Sequence, residues 1–178
     1  MYGCVVIAVR VLVFGAGAAL ALWTVLSAIR TTVLPRSAQV AISRWVFGFM
    51  RRLFELLISR TDDFAKRDRV MALFAPISLL TLPLVWLLLI GFAYTLMFWA
   101  IDTTSYAQAM ALSGSSLTTL GFVSKETAAE RLLAFTEAGW GLILVALMIT
   151  FLPSIYSVFS RREAQVAMLE VRAGDPPS

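Results

Sequence analysis

The amino-acid sequence predicts an all-α membrane protein, and three observations lead to that prediction. Of the 178 residues, 60% are hydrophobic and 15% are charged, and the mean hydropathy is +0.83. Water-soluble domains carry roughly 25% charged residues. Three apolar runs are long enough to cross a hydrocarbon core about 30 Å thick as helices. Basic residues concentrate in one of the segments between these runs.

Residues 11–29 form the first apolar run, which is free of charge and flanked by Arg10 and Arg30. A cleaved signal peptide is the alternative, but no basic segment precedes the run and no clear small-residue cleavage site follows it. Residues 70–101 form the second run, which also lacks charge, and residues 132–160 form the third. We therefore expect three transmembrane helices.

Basic residues predict the orientation of these helices. Residues 30–69 contain nine Lys or Arg, whereas residues 102–131 contain two. Basic loops stay on the cytoplasmic side. We therefore place the protein in the cell inner (plasma) membrane, with residues 30–69 on the cytoplasmic side and residues 102–131 on the external side. The N-terminus is then external and the C-terminus cytoplasmic.

The basic connection also contains a predicted amphipathic helix. Its polar residues recur at helical spacing on one stripe, and aromatic and aliphatic residues cover the remainder. Such a helix either lies in the headgroup region or packs against the spans, and the sequence leaves both alternatives open. We expect anionic lipids, and not nucleic acid, as partners of its positive charge. The stripe comprises Arg44, Gly48, Arg51, Glu55 and Ser59.

Composition excludes most enzyme classes. The chain has no His and one Cys, so it lacks an imidazole general base, a zinc cluster of His and Cys, a Cys/His nucleophile pair and an intrachain disulfide. Glu137, Asp102 and the hydroxyl groups between them give no nucleophile and base at a convincing spacing. We therefore expect no enzymatic activity and no cofactor.

Residues 103–124 carry no charge, but nine of them are Ser or Thr, whose hydroxyl groups make the segment polar. This segment is too polar for lipid and too apolar for a solvated loop, which predicts a re-entrant segment sheltered by protein. We expect a short helix over residues 106–117. The residues after it include Gly121, which can adopt a positive φ.

Residues 117–122, L-T-T-L-G-F, resemble the pore-loop signature T-T-V-G-Y-G of tetrameric potassium channels. The wider S-G-S-S-L-T-T-L-G-F of residues 113–122 is similar to loops of related potassium transporters. The layout resembles bacterial ion-channel or two-pore-domain-like potassium channel family proteins with an added N-terminal helix. The resemblance divides the chain into an N-terminal transmembrane helix (1–30), a basic connection (31–69), a pore domain (70–160, with outer helix 70–101, pore loop 103–124 and inner helix 132–160) and a cytoplasmic tail or linker (161–178).

The resemblance implies a homotetramer in which backbone carbonyls replace the water shell of potassium ions. The ion-binding filter would comprise Thr118, Thr119, Leu120, Gly121 and Phe122. Potassium would be held at the last four of these residues, with the Thr119 hydroxyl as the innermost ligand. Val123 and Ser124 depart from the family pattern, which has Gly and frequently Asp there. Because a β-branched residue resists positive φ, selectivity for potassium over sodium is in question.

Further residues are predicted to support the filter and to open and close the pore. Glu137 is the one acidic residue inside the third run and is expected to brace the filter through Ser115, Ser116, Thr118 or Thr119, or to attract cations. An interfacial Glu that reaches water is the alternative. Gly139, Gly141 and Pro153 are the candidate gating hinge. For the two glycines, close helix packing is the alternative.

Two functional alternatives remain open from the sequence. One is a non-conducting membrane partner or scaffold subunit that uses Ser113, Gly114, Ser115 and Ser116 for helix contact. The other is a weakly selective cation channel. The composition of residues 173–178 is typical of a linker, which leads us to expect a soluble regulatory domain beyond them.

Overall fold

The computed structural model of the chain contains five α-helices. It describes residues 2–33, 41–58, 64–101, 105–123 and 127–173, and within these ranges there is no β-strand. The prediction of an all-α protein is therefore confirmed. The helices are α1 (Tyr2–Val33), α2 (Ala41–Ile58), α3 (Phe64–Ile101), α4 (Tyr106–Leu117) and α5 (Ala128–Ala173).

Three of these helices are long and apolar enough to cross a membrane, as predicted. The candidate spans are Cys4–Thr31, Ile77–Ile101 and Ala128–Thr150. The first extends on the N-terminal side of Arg10, so one basic residue near the end of a helix does not shorten it.

A capping box sets the start of α5. The Thr127 N–H donates to Glu130 Oε2 at 3.2 Å, and the Glu130 N–H donates to Thr127 Oγ1 at 3.2 Å. This reciprocal pair satisfies two backbone donors that a helix N-terminus otherwise leaves without partners. The helix consequently begins at Ala128, four residues before the predicted boundary at Leu132.

Helix α3 is the centre of the fold, because it contacts all four other helices. Trp86, Ile90 and Phe98 on this helix are each 0% exposed. The helix continues through Pro83, whose ring is buried in the core. On the side of α1, Gly17 lies so close to α3 that a Cβ atom there would be 2.7 Å from the Ala93 carbonyl oxygen.

Helix α2 packs against the spans, which is one of the two arrangements that the sequence left open. Ile42, Val46 and Phe54 are buried against the other helices. Arg44, Gly48, Arg51 and Glu55 of the polar stripe are exposed, and Ser59 lies outside the described residues. Between these faces lies a sector of exposed apolar side chains, which an interfacial helix presents to lipid.

Candidate functional site

The site is built on α4, whose predicted bounds are confirmed. Ser105 is the N-cap, and its hydroxyl accepts a hydrogen bond from the Gln108 N–H at 3.2 Å. This bond satisfies a donor in the first turn of the helix. Ala109 and Leu112 are buried against the core. The cap and the apolar face together hold α4 between α3 and α5.

A tight turn at Thr118 and Thr119 ends α4. The Thr118 N–H donates to the Gly114 carbonyl at 3.1 Å, and the Thr119 N–H donates to the Ser116 carbonyl at 3.0 Å. Thr119 has a φ of 57° in the position after the C-cap, where glycine is usual. A left-handed conformation costs an L-residue about 1–2 kcal/mol, so the surrounding hydrogen bonds must stabilise it.

Ser115 ties the following residues back to α4. Its carbonyl accepts from the Gly121 N–H at 3.2 Å, and its hydroxyl accepts from the Val123 N–H at 3.3 Å. Gly121 has the positive φ that its position predicts, at 68°. Ser115 is 0% exposed, so the turn is attached at a buried point. Ser115 therefore contacts the expected filter segment on both sides of Phe122.

The two neighbouring serines are also buried and hydrogen-bonded. The Ser116 hydroxyl donates to the Leu112 carbonyl at 2.9 Å, and Ser116 is 2% exposed. Ser113 is 1% exposed and bonds to the adjacent helices, as described below. We call these residues (Ser113, Ser115 and Ser116) the serine anchor.

The turn itself faces outward. Leu120 is 71% exposed and Phe122 is 69% exposed in the single chain. Within the described part of the chain, no hydrogen bond ends on the carbonyl oxygens of residues 119–122. The Thr119 hydroxyl donates to the Thr118 carbonyl at 2.7 Å. The segment thus presents four successive carbonyl groups that remain available as ligands.

Glu137 lies beside the serine anchor and does not reach water. It is 0% exposed, which contradicts the alternative of an interfacial side chain in contact with solvent. Ser113 Oγ lies 2.5 Å from Glu137 Oε1 and 2.9 Å from the Gly91 carbonyl oxygen. The bond to Glu137 therefore involves Ser113, which was not among the four partners that the sequence suggested.

Ser113 joins three helices through these two contacts. Its hydroxyl on α4 donates to the Glu137 carboxyl group on α5 and lies within hydrogen-bond distance of the Gly91 carbonyl on α3. A hydroxyl has one proton to donate, so the two oxygens share it. The three helices α3, α4 and α5 therefore meet at one buried side chain.

A second polar link joins α3 and α5 near this point. The Tyr94 hydroxyl donates to Thr136 Oγ1 at 3.1 Å, and Thr136 Oγ1 donates to the Leu133 carbonyl at 2.8 Å. Tyr94 is 5% exposed. The sequence did not reveal this bond, because the partner lies 42 positions along the chain.

The candidate hinge residues differ in their surroundings. A Cβ atom at Gly141 would be 2.5 Å from the Leu117 carbonyl oxygen, whereas a Cβ atom at Gly139 would meet nothing within 4 Å. Close contact with α4 accounts for glycine at position 141. Helix α5 continues through both glycines and through Pro153, although the Pro153 side chain lies outside the described part of the structure. The hinge stays a prediction.

Carbonyl oxygens are the cation ligands that this site offers. Among the described residues, no group of three or more His, Cys, Asp or Glu side chains is arranged to hold a metal ion. Ser124, the second departure from the channel pattern, lies outside the described residues. Comparison of the chain with protein-family models, curated proteins and solved structures gave no match.

Proposed function

We propose that the chain is the pore-forming subunit of a homotetrameric cation channel that conducts potassium passively. The proposal depends mainly on one observation, an exposed turn over residues 119–122 that Ser115 attaches to a buried helix and whose carbonyl groups accept no hydrogen bond within the described part of the chain. Rings of backbone carbonyls are the ligands that replace the hydration shell of potassium in known filters. Four copies of the turn around one axis supply such rings.

The electrostatics of α4 favour a cation at the same place. The turn follows the C-terminus of the helix, where the macrodipole carries a partial negative charge. This charge stabilises a nearby cation by about 0.3–1 kcal/mol per helix. In a tetramer, four helix ends point toward the axis and their contributions add.

Exposed apolar groups on the turn favour assembly. Leu120 and Phe122 are surrounded by solvent in the single chain, and burying such a side chain stabilises a complex by about 1.5–3 kcal/mol. Leu132 and Phe135 on α5 are also more than half exposed. Neighbouring subunits can cover these side chains while the carbonyl groups face the axis.

The orientation in this proposal follows the distribution of basic residues. The connection that contains α2 lies on the cytoplasmic side of the plasma membrane, and the turn after α4 is reached from outside. The N-terminus is then external. Potassium passes from the turn along α5 toward the cytoplasm, and no covalent step is involved.

The weakly selective alternative has a specific observation in its favour. The Val123 N–H is held by Ser115 Oγ at 3.3 Å, at the position where the channel pattern has its second glycine. A backbone tied back to α4 at this point removes or reshapes the outermost ion site. Because glycine can adopt the positive φ that a β-branched valine resists, we expect Val123→Gly to raise the ratio of potassium to sodium flux.

The scaffold alternative is weakened because its contact residues already form hydrogen bonds within the chain. It needs Ser113, Ser115 and Ser116 on an exposed face, and all three are buried and bonded within the chain. Gly114 alone among its four contact residues is exposed. The three serines on which this alternative depends therefore face the interior of the chain.

Cation flux into liposomes tests the proposal. Purified protein is reconstituted, and flux is driven by a potassium gradient and then by an equal sodium gradient. We expect potassium flux to be lost in Gly121→Ala, because alanine resists a φ of +68°, and to fall in Thr119→Ala. The matched control is Gly114→Ala, since a Cβ atom at either glycine meets nothing within 4 Å and only Gly121 has positive φ.

Each outcome of this experiment has a defined meaning. Flux that persists in Gly121→Ala, or that falls equally in Gly114→Ala, contradicts the assignment of the turn as the filter. Equal sodium and potassium flux in the unmodified protein supports the weakly selective alternative. A monomer by light scattering, together with no flux, contradicts the channel proposal.

A further inference from the structure

An apolar groove lies on the opposite side of α3 from the serine anchor. Its volume is about 540 Å³, and it is formed where α1, α2 and α3 meet. Trp45 is 82% exposed and Trp23 is 48% exposed, so the groove opens on the surface of the helix bundle. Its lining includes Trp23, Trp45, Phe49, Thr81, Val85 and Leu89. We call it the α2 groove.

The lining of the α2 groove offers water few polar partners. Thr81 carries the one hydroxyl among the described lining residues, and that hydroxyl donates to the Ile77 carbonyl at 2.7 Å. The indole N–H groups of Trp23 and Trp45 are the other side-chain donors of the lining. A water molecule in a cavity needs two to four polar partners, and apolar cavities instead bind apolar molecules. The occupant therefore has a hydrocarbon part.

The length of the groove corresponds to one leaflet of a bilayer. On α3 its lining runs from Thr81 to Leu89, which is about 12 Å at 1.5 Å per residue. Both residues lie within the candidate span Ile77–Ile101, and half of a hydrocarbon core measures about 15 Å. The groove is therefore about as long as the part of an acyl chain that fills one leaflet.

Positive charge lies beside the α2 side of the groove. Arg44 lies one helical turn after the lining residue Ala41, and Arg52 lies one helical turn after Phe49. Arg51 is paired with Glu55 at 2.8 Å. Among the described residues, Arg44 and Arg52 form no ion pair, and both are exposed. A phosphate group above the groove would therefore meet two available guanidinium groups.

We infer that the α2 groove binds an acyl chain of an anionic phospholipid whose phosphate contacts Arg44 and Arg52. The apolar lining matches a lipid acyl chain, and the length of the groove matches the length of that acyl chain. The two arginines match the negatively charged phosphate of the headgroup. This inference does not depend on the proposed conduction, because it involves none of the residues after α4.

Quenching of tryptophan fluorescence by brominated lipid tests the inference. The full chain is reconstituted in phosphatidylcholine vesicles that contain increasing fractions of brominated phosphatidylglycerol or brominated phosphatidylcholine. We expect half-maximal quenching at a mole fraction about fivefold lower for the anionic lipid. The Trp45→Phe variant should lose most of this high-affinity component.

Matched variants separate the site from general lipid contact. Val85→Phe fills the groove and should reduce the high-affinity quenching, whereas Leu88→Phe, at a position of α3 that is 72% exposed, should not. Replacing Arg44 and Arg52 by Gln should abolish the preference for anionic lipid. Arg51→Gln should leave it unchanged. All three arginines are exposed, so these changes do not threaten the fold.

Three results would overturn the inference. Equal quenching by the two brominated lipids would mean that the groove contacts bulk lipid only. Quenching that Val85→Phe and Leu88→Phe reduce equally would place the lipid elsewhere on α3. No quenching of Trp45 would mean that protein, such as a second copy of the chain, covers the groove.

Discussion

The two sides of α3 are stabilised by different kinds of contact. Toward α4 and α5, buried polar groups are joined by directional hydrogen bonds, and each hydroxyl of the serine anchor has a partner. Toward α1 and α2, Ser27 and Ser78 are buried, and their hydroxyls form no hydrogen bond within the described part of the chain. Apolar packing dominates there and leaves the α2 groove open.

This difference indicates how each side tolerates change. Hydrogen bonds fix distance and angle, so the serine anchor holds the turn after α4 in one conformation. Apolar contacts are non-directional and accept side chains of similar volume. A filter needs the first property, and a surface that accommodates lipid chains needs the second.

The largest effect should come from Glu137. Glu137→Ala removes the partner of Ser113 and leaves a cavity, which we expect to destabilise the protein by about 3 kcal/mol. Glu137→Gln should remain within about 1 kcal/mol of the unmodified protein, because its amide oxygen accepts from the Ser113 hydroxyl as the carboxyl oxygen does. Thermal unfolding in detergent, followed by circular dichroism, measures both. If Gln were as damaging as Ala, a charged Glu137 would be required.

A smaller effect is expected at the contact of α5 with α4. Gly141→Ala brings a Cβ atom to 2.5 Å from the Leu117 carbonyl oxygen, and such overpacking costs about 1–3 kcal/mol. Gly139→Ala is the control, since its Cβ atom has open space and alanine favours a helix. Unfolding temperature and flux should both fall only in Gly141→Ala. Loss of flux in Gly139→Ala with unchanged stability would instead assign a hinge to that position.

Two buried serines give the most direct comparison of the two sides. Ser113→Ala removes bonds to α3 and α5 and should cost about 1–2 kcal/mol, whereas Ser78→Ala removes a hydroxyl without a described partner and should be neutral or slightly stabilising. Both side chains are at most 1% exposed, so burial does not distinguish them. Equal losses of stability in a denaturant titration would mean that the two sides are not stabilised differently.

Much of the fold follows from local sequence. The three spans are visible as apolar runs because the bilayer demands about 20 apolar residues per helix. The bounds of α4 follow from Ser105 as a cap and from the helix-forming residues after it. The start of α5 was also readable, since Thr127 and Glu130 have the spacing of a capping box, and that signal was missed.

The site was less accessible, because its bonds join distant parts of the chain. Glu137 was identified as a candidate, but its partner depends on which face of α4 turns toward α5. The positive φ of Thr119 contradicts the preference of a β-branched residue. It arises from hydrogen bonds to the last turn of α4, which overcome a local preference of about 1–2 kcal/mol.

The central position of α3 also has a consequence for biosynthesis. Helix α1 packs mainly on α3, yet α1 ends at Val33 and α3 ends at Ile101. At about 5–20 residues per second, α1 leaves the ribosome several seconds before its partner is complete. During this interval it must reside in the bilayer alone. The apolar side chains of its candidate span Cys4–Thr31 suit that interval, whereas Ser113 of α4 finds its partner at Gly91 only after α3 has been made.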